Sequence, residues 1–121
     1  MANSFINKKV DLTTTNLTTL YTVPSFKTSV IKSILVSNDS GSSCNLDVTL
    51  VNASSVIFSL FKTKAVDTNT TVELLSQPLV MEEKEILKVQ ASEALKVQAS
   101  DATELHVVAS ILEIEPREVT T

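Results

Sequence analysis

The sequence predicts an all-β fold, a single antiparallel β-sandwich of about seven or eight strands. In the middle of the chain apolar residues alternate with polar ones, most clearly at Leu46, Val48 and Leu50. This period of two is typical of a half-buried strand, because successive side chains point to opposite faces. Polar clusters rich in Asn, Asp and Ser separate such segments at regular intervals, as the turns of a sandwich require.

The strands of the first half begin with two weaker segments, Phe5–Leu12 and Leu17–Val23. Apolar residues occupy both faces of Val30–Val36, which favours a central strand. Leu46–Leu50 has one apolar face. Val56–Phe61 repeats that pattern with apolar residues on its second face as well.

Two strands are evident in the second half, one on either side of the stretch Met81–Glu104. Val72–Leu74 is a short one, and Leu105–Ile114 is nearly continuous in β-branched and apolar residues, which indicates a strand buried on both sides. Pro24 and Pro78 fall just outside the strand-like runs, where a missing amide does no harm.

The turns are expected to rely on Asn and Asp, since the chain has a single glycine, Gly41. Asn and Asp tolerate the left-handed backbone of tight turns. The three polar clusters that carry them are Asn38–Gly41, Asn52–Ser55 and Asp67–Thr70.

Met81–Glu104 is the ambiguous stretch, because its Glu, Lys, Leu, Ala and Gln residues favour a helix. It also contains an exact repeat, in which Leu87–Ser92 recurs eight residues later as Leu95–Ser100. An even shift preserves the inside–outside parity of a strand, whereas on a helix it rotates the repeated face by roughly 80°. We therefore favour strands, with two near-identical segments that compete for one position in the sheet.

The length of 121 residues fits one domain. Residues 1–10 are interpreted as an N-terminal arm or a first edge strand, residues 11–114 as the β-sandwich domain, and residues 115–121 as a flexible C-terminal tail. Pro116, a strand breaker, lies in that tail.

Composition argues against several classes of partner. The net charge is −4, and the lysines are too scattered to neutralise a phosphate backbone, so nucleic-acid binding is not expected. The N-terminus lacks the pattern of a signal peptide, and apolar runs are too short to span a membrane. Cys44 is the single cysteine, which rules out an intrachain disulfide and fits assembly in a reducing cytoplasm.

No catalytic, cofactor-binding or metal-binding residues are predicted. His106, the only histidine, has no predicted nucleophile beside it and is interpreted as a residue on the polar face of its strand. Cys44 is interpreted as a packed or edge thiol. The acidic cluster of Glu82, Glu83 and Glu85 lacks the Gly and the ligand spacing of a calcium loop. We therefore expect that the chain is not an enzyme.

From about Leu12 to Ile114 the chain resembles small β-sandwich virion proteins of tailed bacteriophages, especially those of marine cyanophages and their relatives. The resemblance rests on an entry strand marked by Tyr and Pro, a central strand that ends at an Asn turn, and a buried terminal strand. The segments that carry it are Leu20–Pro24, Val30–Asn38, Thr71–Leu75, Glu85–Val89 and Val107–Ile114.

The resemblance implies a virion structural protein, above all a capsid decoration (cement) protein. Such a protein binds and bridges major capsid subunits as a homo-oligomer, by family likeness a trimer, and is located in the virion after assembly in the host cytoplasm. The family carries no catalytic residues. Two alternatives stay open: a neck, tail or fibre-attachment protein of the virion, and a carbohydrate- or cell-surface-binding β-sandwich module. The missing Trp and single Tyr argue against the latter.

Overall fold

The computed structural model describes residues 3–12, 16–38, 43–93 and 105–115, and their fold is all-β, as predicted. Within these ranges no helix is long and apolar enough to cross a membrane. The described strands are β1 (Asn3–Leu12), β2 (Thr18–Thr22), β3 (Thr28–Asn38), β4 (Cys44–Val51), β5 (Ile57–Val66), β6 (Thr70–Glu73), β7 (Leu79–Met81), β8 (Ile86–Glu93) and β9 (Leu105–Ile114).

The strands form two antiparallel sheets that pack face to face, which confirms the predicted β-sandwich. The first sheet has the order β1-β9-β3-β6. β6 and β7 lie end to end along the same edge of β3. β7 pairs with the first part of β3 and β6 with the last part. The second sheet has the order β2-β8-β4-β5.

The connections between these strands define a jelly roll. If β6 and β7 are taken as one interrupted strand, the first strand lies beside the last, the second beside the next to last, and so on to the central β4–β5 hairpin. The chain therefore crosses from sheet to sheet at almost every connection. This double Greek-key arrangement is found in viral capsid and lectin domains.

The core lies between the two inner faces and is aliphatic, as the composition predicts. In β4 the residues Cys44, Leu46, Val48 and Leu50 are buried and their neighbours are half-buried, so the predicted alternation is confirmed. Tyr21 is the only aromatic residue among the buried side chains of the described part.

The described residues contain nine strands, or eight when β6 and β7 are taken as one interrupted strand, which agrees with the predicted seven or eight. One expectation about burial needs correction. The strand Leu105–Ile114 is buried on one side and only partly on the other, because β9 is central in its sheet but no other described strand packs on the outer face of that sheet.

The helical alternative for Met81–Glu104 is wrong for its described part, which forms β7, a turn and β8. The first copy of the repeat, Leu87–Ser92, lies within β8 and pairs with both β2 and β4. The second copy, Leu95–Ser100, lies outside the described residues. At the N-terminus, β1 pairs with β9 from Asn3 to Leu12, which corresponds to the edge-strand alternative for residues 1–10. Of the predicted tail, only Glu115 is described.

Candidate protein-binding surfaces

The candidate chemical residues lie apart from one another. Cys44 is buried in the core at the start of β4. His106 lies on the outer face of the first sheet, where its Nδ1 is 3.1 Å from Oδ1 of Asp11 on the neighbouring strand. No group of three or more metal-ligating side chains occurs in the described part of the chain.

The acidic cluster stabilises a turn. The Glu85 carboxylate accepts a hydrogen bond from the backbone N–H of Glu82 at 2.8 Å, and the Glu83 carboxylate accepts one from the N–H of Phe26 at 2.6 Å. The second of these bonds holds the β7–β8 turn against the β2–β3 turn.

A buried polar network joins the two sheets. The Tyr21 hydroxyl on β2 lies 2.6 Å from Ser29 Oγ on β3 and donates to Glu113 Oε2 on β9 at 2.5 Å. Lys27 Nζ lies 3.3 Å from the other Glu113 oxygen. Burial, and after it the hydrogen bond to Glu113, raises the pKa of Tyr21 well above its usual range. The network contains no paired nucleophile and base, and it stabilises the sandwich.

A second polar contact joins the sheets at the opposite end. The buried Asn38, at the end of β3, donates from Nδ2 to the backbone carbonyl of Val66 on β5 at 2.9 Å. Together with the Tyr21 network it fixes how the sheets lie over each other.

Exposed apolar side chains concentrate at one end of the sandwich, which we call the turn end because the β2–β3, β4–β5 and β7–β8 turns meet there. Phe26 is 77% exposed in the first turn and Ile57 66% exposed at the start of β5. Val56 and Phe58, beside Ile57, are about half exposed. Since large apolar side chains gain free energy on burial, their concentration at one end indicates a protein-binding surface.

Phe26 is held in a conformation that suits glycine. It is the third residue of a turn closed by a hydrogen bond from the Lys27 N–H to the Pro24 carbonyl, and its φ is 65°. A bulky residue in the left-handed region is strained. The turn therefore holds a bulky aromatic residue, and that residue is largely exposed to solvent.

The outer face of the first sheet carries two rows of side chains in register across its strands. The first row is apolar and runs Phe5, Leu112, Val30, Val80 over β1, β9, β3 and β7. The second row has charges at its ends and runs Lys9, Val108, Leu35, Glu73 over β1, β9, β3 and β6. Phe5 is 78% exposed and Val80 59% exposed, so the ends of the first row are open to solvent.

Glu73 is fixed in place on this face. Its carboxylate accepts hydrogen bonds from the Ser33 hydroxyl, from the Ile34 N–H at 2.8 Å and from the Leu75 N–H at 3.1 Å. Desolvation acts to raise the pKa of Glu73, but these hydrogen bonds together outweigh it and lower the pKa below its usual value. Glu73 therefore carries a negative charge at neutral pH at one edge of the sheet.

Sequence reasoning found none of these surfaces. Phe26 was not assigned to any strand or turn cluster, and the rows depend on which strands lie side by side, which periodicity does not reveal. The sequence did contain one indication of these surfaces. The chain has only four Phe residues, and two of them, Phe5 and Phe26, lie in mainly polar segments.

Comparisons with known proteins support the fold. No protein-family model and no curated protein matches the chain. In solved structures, the chain is similar to a chain in the structure of infectious bursal disease virus, Gx strain, with a TM-score of 0.58 and 13% sequence identity. The match covers 98% of this chain and 34% of the viral one, so this chain spans about a third of the length of that protein.

Proposed function

We propose that this chain is a structural component of a virus particle, and specifically a capsid decoration (cement) protein that binds and bridges major capsid subunits. The proposal is carried by the jelly-roll strand order of this chain together with the likeness of its fold, over 98% of its length, to a chain of a virus structure. Because folds host many functions, the role rests on the surfaces as well as on this likeness.

The described surfaces fit a binding role without chemistry, so we propose that the chain is not an enzyme. Tyr21 and Glu113 bind each other in the interior, and Glu73 and Glu83 bind backbone amides. These groups stabilise the fold and do not converge on one cleft.

The turn end is the surface that we assign to the capsid. Phe26, Val56 and Ile57 would be covered by an apolar depression between capsid subunits, and each contact would be weak. Many identical copies on a lattice increase the strength of binding through multivalency.

The kind of virus, the site of assembly and the oligomeric state are proposed from the sequence resemblance alone. Under the proposal the particle is that of a tailed bacteriophage, assembled in the host cytoplasm, and the protein acts there as a homo-oligomer. The match to infectious bursal disease virus lends no support to the cyanophage type in particular. A neck, tail or fibre-attachment position in the virion is the alternative.

The fold also favours one candidate of another class, a carbohydrate- or cell-surface-binding module, because lectin domains share the jelly roll. The exposed rings at the turn end are Phe, which lack a polar handle for sugar hydroxyls. Specific binding on a glycan array, with no binding to particles, would favour this candidate over the capsid.

The proposal is tested by rebinding. Particles that lack the chain are titrated with the purified protein, and the bound amount per major capsid subunit is measured. We expect saturable binding at a fixed ratio, and an affinity about tenfold lower for Ile57→Ser, because an exposed contact residue is lost.

Leu17→Ser is the matched control, since Leu17 is half exposed but precedes β2 at the opposite end of the strand. It should bind as the wild type does. Absence of saturable binding, or equal losses for the two variants, would contradict the proposal.

A further inference from the structure

The outer face of the first sheet is complementary to itself. An interface between two identical copies related by a two-fold axis uses the same patch twice, so each residue must suit the residue that the axis places opposite it. This condition is restrictive, and most surfaces do not meet it.

We propose that this face binds a second copy of the chain, with the two-fold axis running along the strands between β9 and β3. The axis lies at the middle of the order β1-β9-β3, followed by β6 and β7. It therefore places β9 opposite β3 of the second copy, and β1 opposite β6 and β7. Sheets that pack in this way lie about 10 Å apart with strands inclined at about −30°.

In the apolar row this arrangement places large side chains opposite small ones. Phe5 faces Val80 of the second copy, and Leu112 faces Val30. Large and small residues at facing positions allow two layers to interdigitate without a void. The open ends of the row, Phe5 and Val80, are covered by each other.

In the second row the same axis places opposite charges together. Lys9 faces Glu73 of the second copy, and Val108 faces Leu35. The two-fold axis produces this pair twice, once at each edge of the interface. Between the rows Ser110 faces Ser33, and the exposed Lys32 lies beside Ser33 at the bulge in β3, so this middle part of the face is polar.

The other in-plane axis, perpendicular to the strands, does not give this match. It would place Phe5 opposite Lys9 and Val80 opposite Glu73, which buries charges against apolar side chains. The charge complementarity therefore selects the axis along the strands and argues for a second copy as the occupant of this face.

The association is measured by sedimentation of the purified full chain over a range of concentrations. We expect a monomer–dimer equilibrium, and a dissociation constant about tenfold higher for Lys9→Glu, because both edge pairs become like-charged. Lys8→Glu is the matched control: it makes the same charge change on the same strand, but Lys8 pairs with Ala109 on the other face of the sheet.

The axis is tested by cross-linking. A short bismaleimide should join Phe5→Cys in one copy to Val80→Cys in another when the two variants are mixed. It should not join two copies of Phe5→Cys, which the axis separates by about three strand spacings of ~4.8 Å. Cys44 is buried and leaves the readout to the introduced thiols.

A chain that stays monomeric, equal effects of Lys8→Glu and Lys9→Glu, or efficient cross-linking of Phe5→Cys to itself would overturn the inference. If the chain is monomeric and Lys9→Glu abolishes its binding to particles, this face binds the capsid instead of a second copy. The dimer does not depend on the proposed binding to capsid subunits, since a monomer that still binds particles normally would overturn the dimer and leave that binding role standing.

Discussion

Tyr21 is the residue whose burial most constrains the arrangement of the sheets. Its ring is 3% exposed, and a buried phenol requires a hydrogen-bond partner. Ser29 and Glu113 supply that partner from two strands of the opposite sheet. The carboxylate of Glu113 in turn is offset by Lys27 at the rim of the core.

Removal of the Tyr21 hydroxyl is expected to lower stability. Tyr21→Phe leaves Oε2 of the buried Glu113 carboxylate without the Tyr21 donor, which should cost about 1–3 kcal/mol in the free energy of unfolding. Urea denaturation at pH 7 measures the loss. An unchanged midpoint would show that the network contributes nothing.

The same network predicts an alkaline pH dependence. The pKa of Tyr21 is raised in the folded state above its usual value of 10.0, so its contribution is fully present below about pH 10 and is lost as the pH rises further. The stability difference between wild type and Tyr21→Phe should therefore shrink above pH 10. A difference that grows with pH would contradict this sign.

Phe26 should be unfavourable for stability. Glycine adopts the left-handed conformation without the ~1–2 kcal/mol cost of other residues, so Phe26→Gly is expected to stabilise the fold by up to about 1 kcal/mol. The same variant should bind particles more weakly, because the exposed ring is lost. Ser25→Gly, in the same turn but without a positive φ, should not stabilise the protein. Denaturation midpoints and rebinding measure the two effects, and a destabilised Phe26→Gly would contradict the account.

At the residue scale the sequence predicted the chemical character of the core better than it predicted which side chains are in contact. The aliphatic core follows from the shortage of aromatic residues, whereas Tyr21 and Glu113 are 92 positions apart and nothing local links them. Asn and Asp were expected in the turns, and the clusters Asn52–Ser55 and Asp67–Thr70 do lie at turns, but of the five left-handed residues in the described part only Asn69 is an Asn or Asp. The others are Phe26, Ser55, Thr63 and Lys84. Hydrogen bonds to distant segments hold Phe26, Thr63 and Lys84, whereas the N–H of Ser55 donates to the carbonyl of Asn52 in the same turn.

At the element scale the strands with one buried face were the most predictable. β4 was evident because alternation is a direct consequence of one-sided burial. β9 was identified with its correct bounds but assigned the wrong environment, since Val108 and Leu112 suggest burial on both sides. Their apolar character has a reason in the proposed dimer, where they lie at the interface.

The repeat allows a test of whether its second copy can replace the first as strand β8. Leu87 is fully buried, so Leu87→Asp should destabilise the chain by several kcal/mol unless Leu95 replaces it. We expect the loss to be smaller in the full chain than in a variant that lacks residues 95–102 and therefore has only one copy. Equal losses in the two backgrounds, measured by urea denaturation, would show that the second copy cannot take the position of the first.

At the scale of the whole molecule, strand order was the feature that the sequence did not reveal. Periodicity identifies strands one at a time, whereas the jelly roll depends on pairings such as β1 with β9, about a hundred residues apart. The candidate surfaces depend on those pairings too, because the row from Phe5 to Val80 joins four strands that are distant in sequence.

The two proposed surfaces are compatible with each other. An axis along the strands directs the turn ends of both copies to the same side, so a dimer would present two apolar ends to one shell. Two linked contacts bind more strongly than either alone, provided that both reach their sites. The dimer would thus act as a bridge between neighbouring capsid subunits.

The copy number of the chain relative to the major capsid protein, measured in purified particles, tests the central claim most directly. The account predicts a ratio near one or a simple fraction of it, as for a protein bound at repeated sites on a shell. A handful of copies would contradict decoration and favour a neck, tail or fibre position. Absence of the chain from the particles would contradict the virion assignment itself.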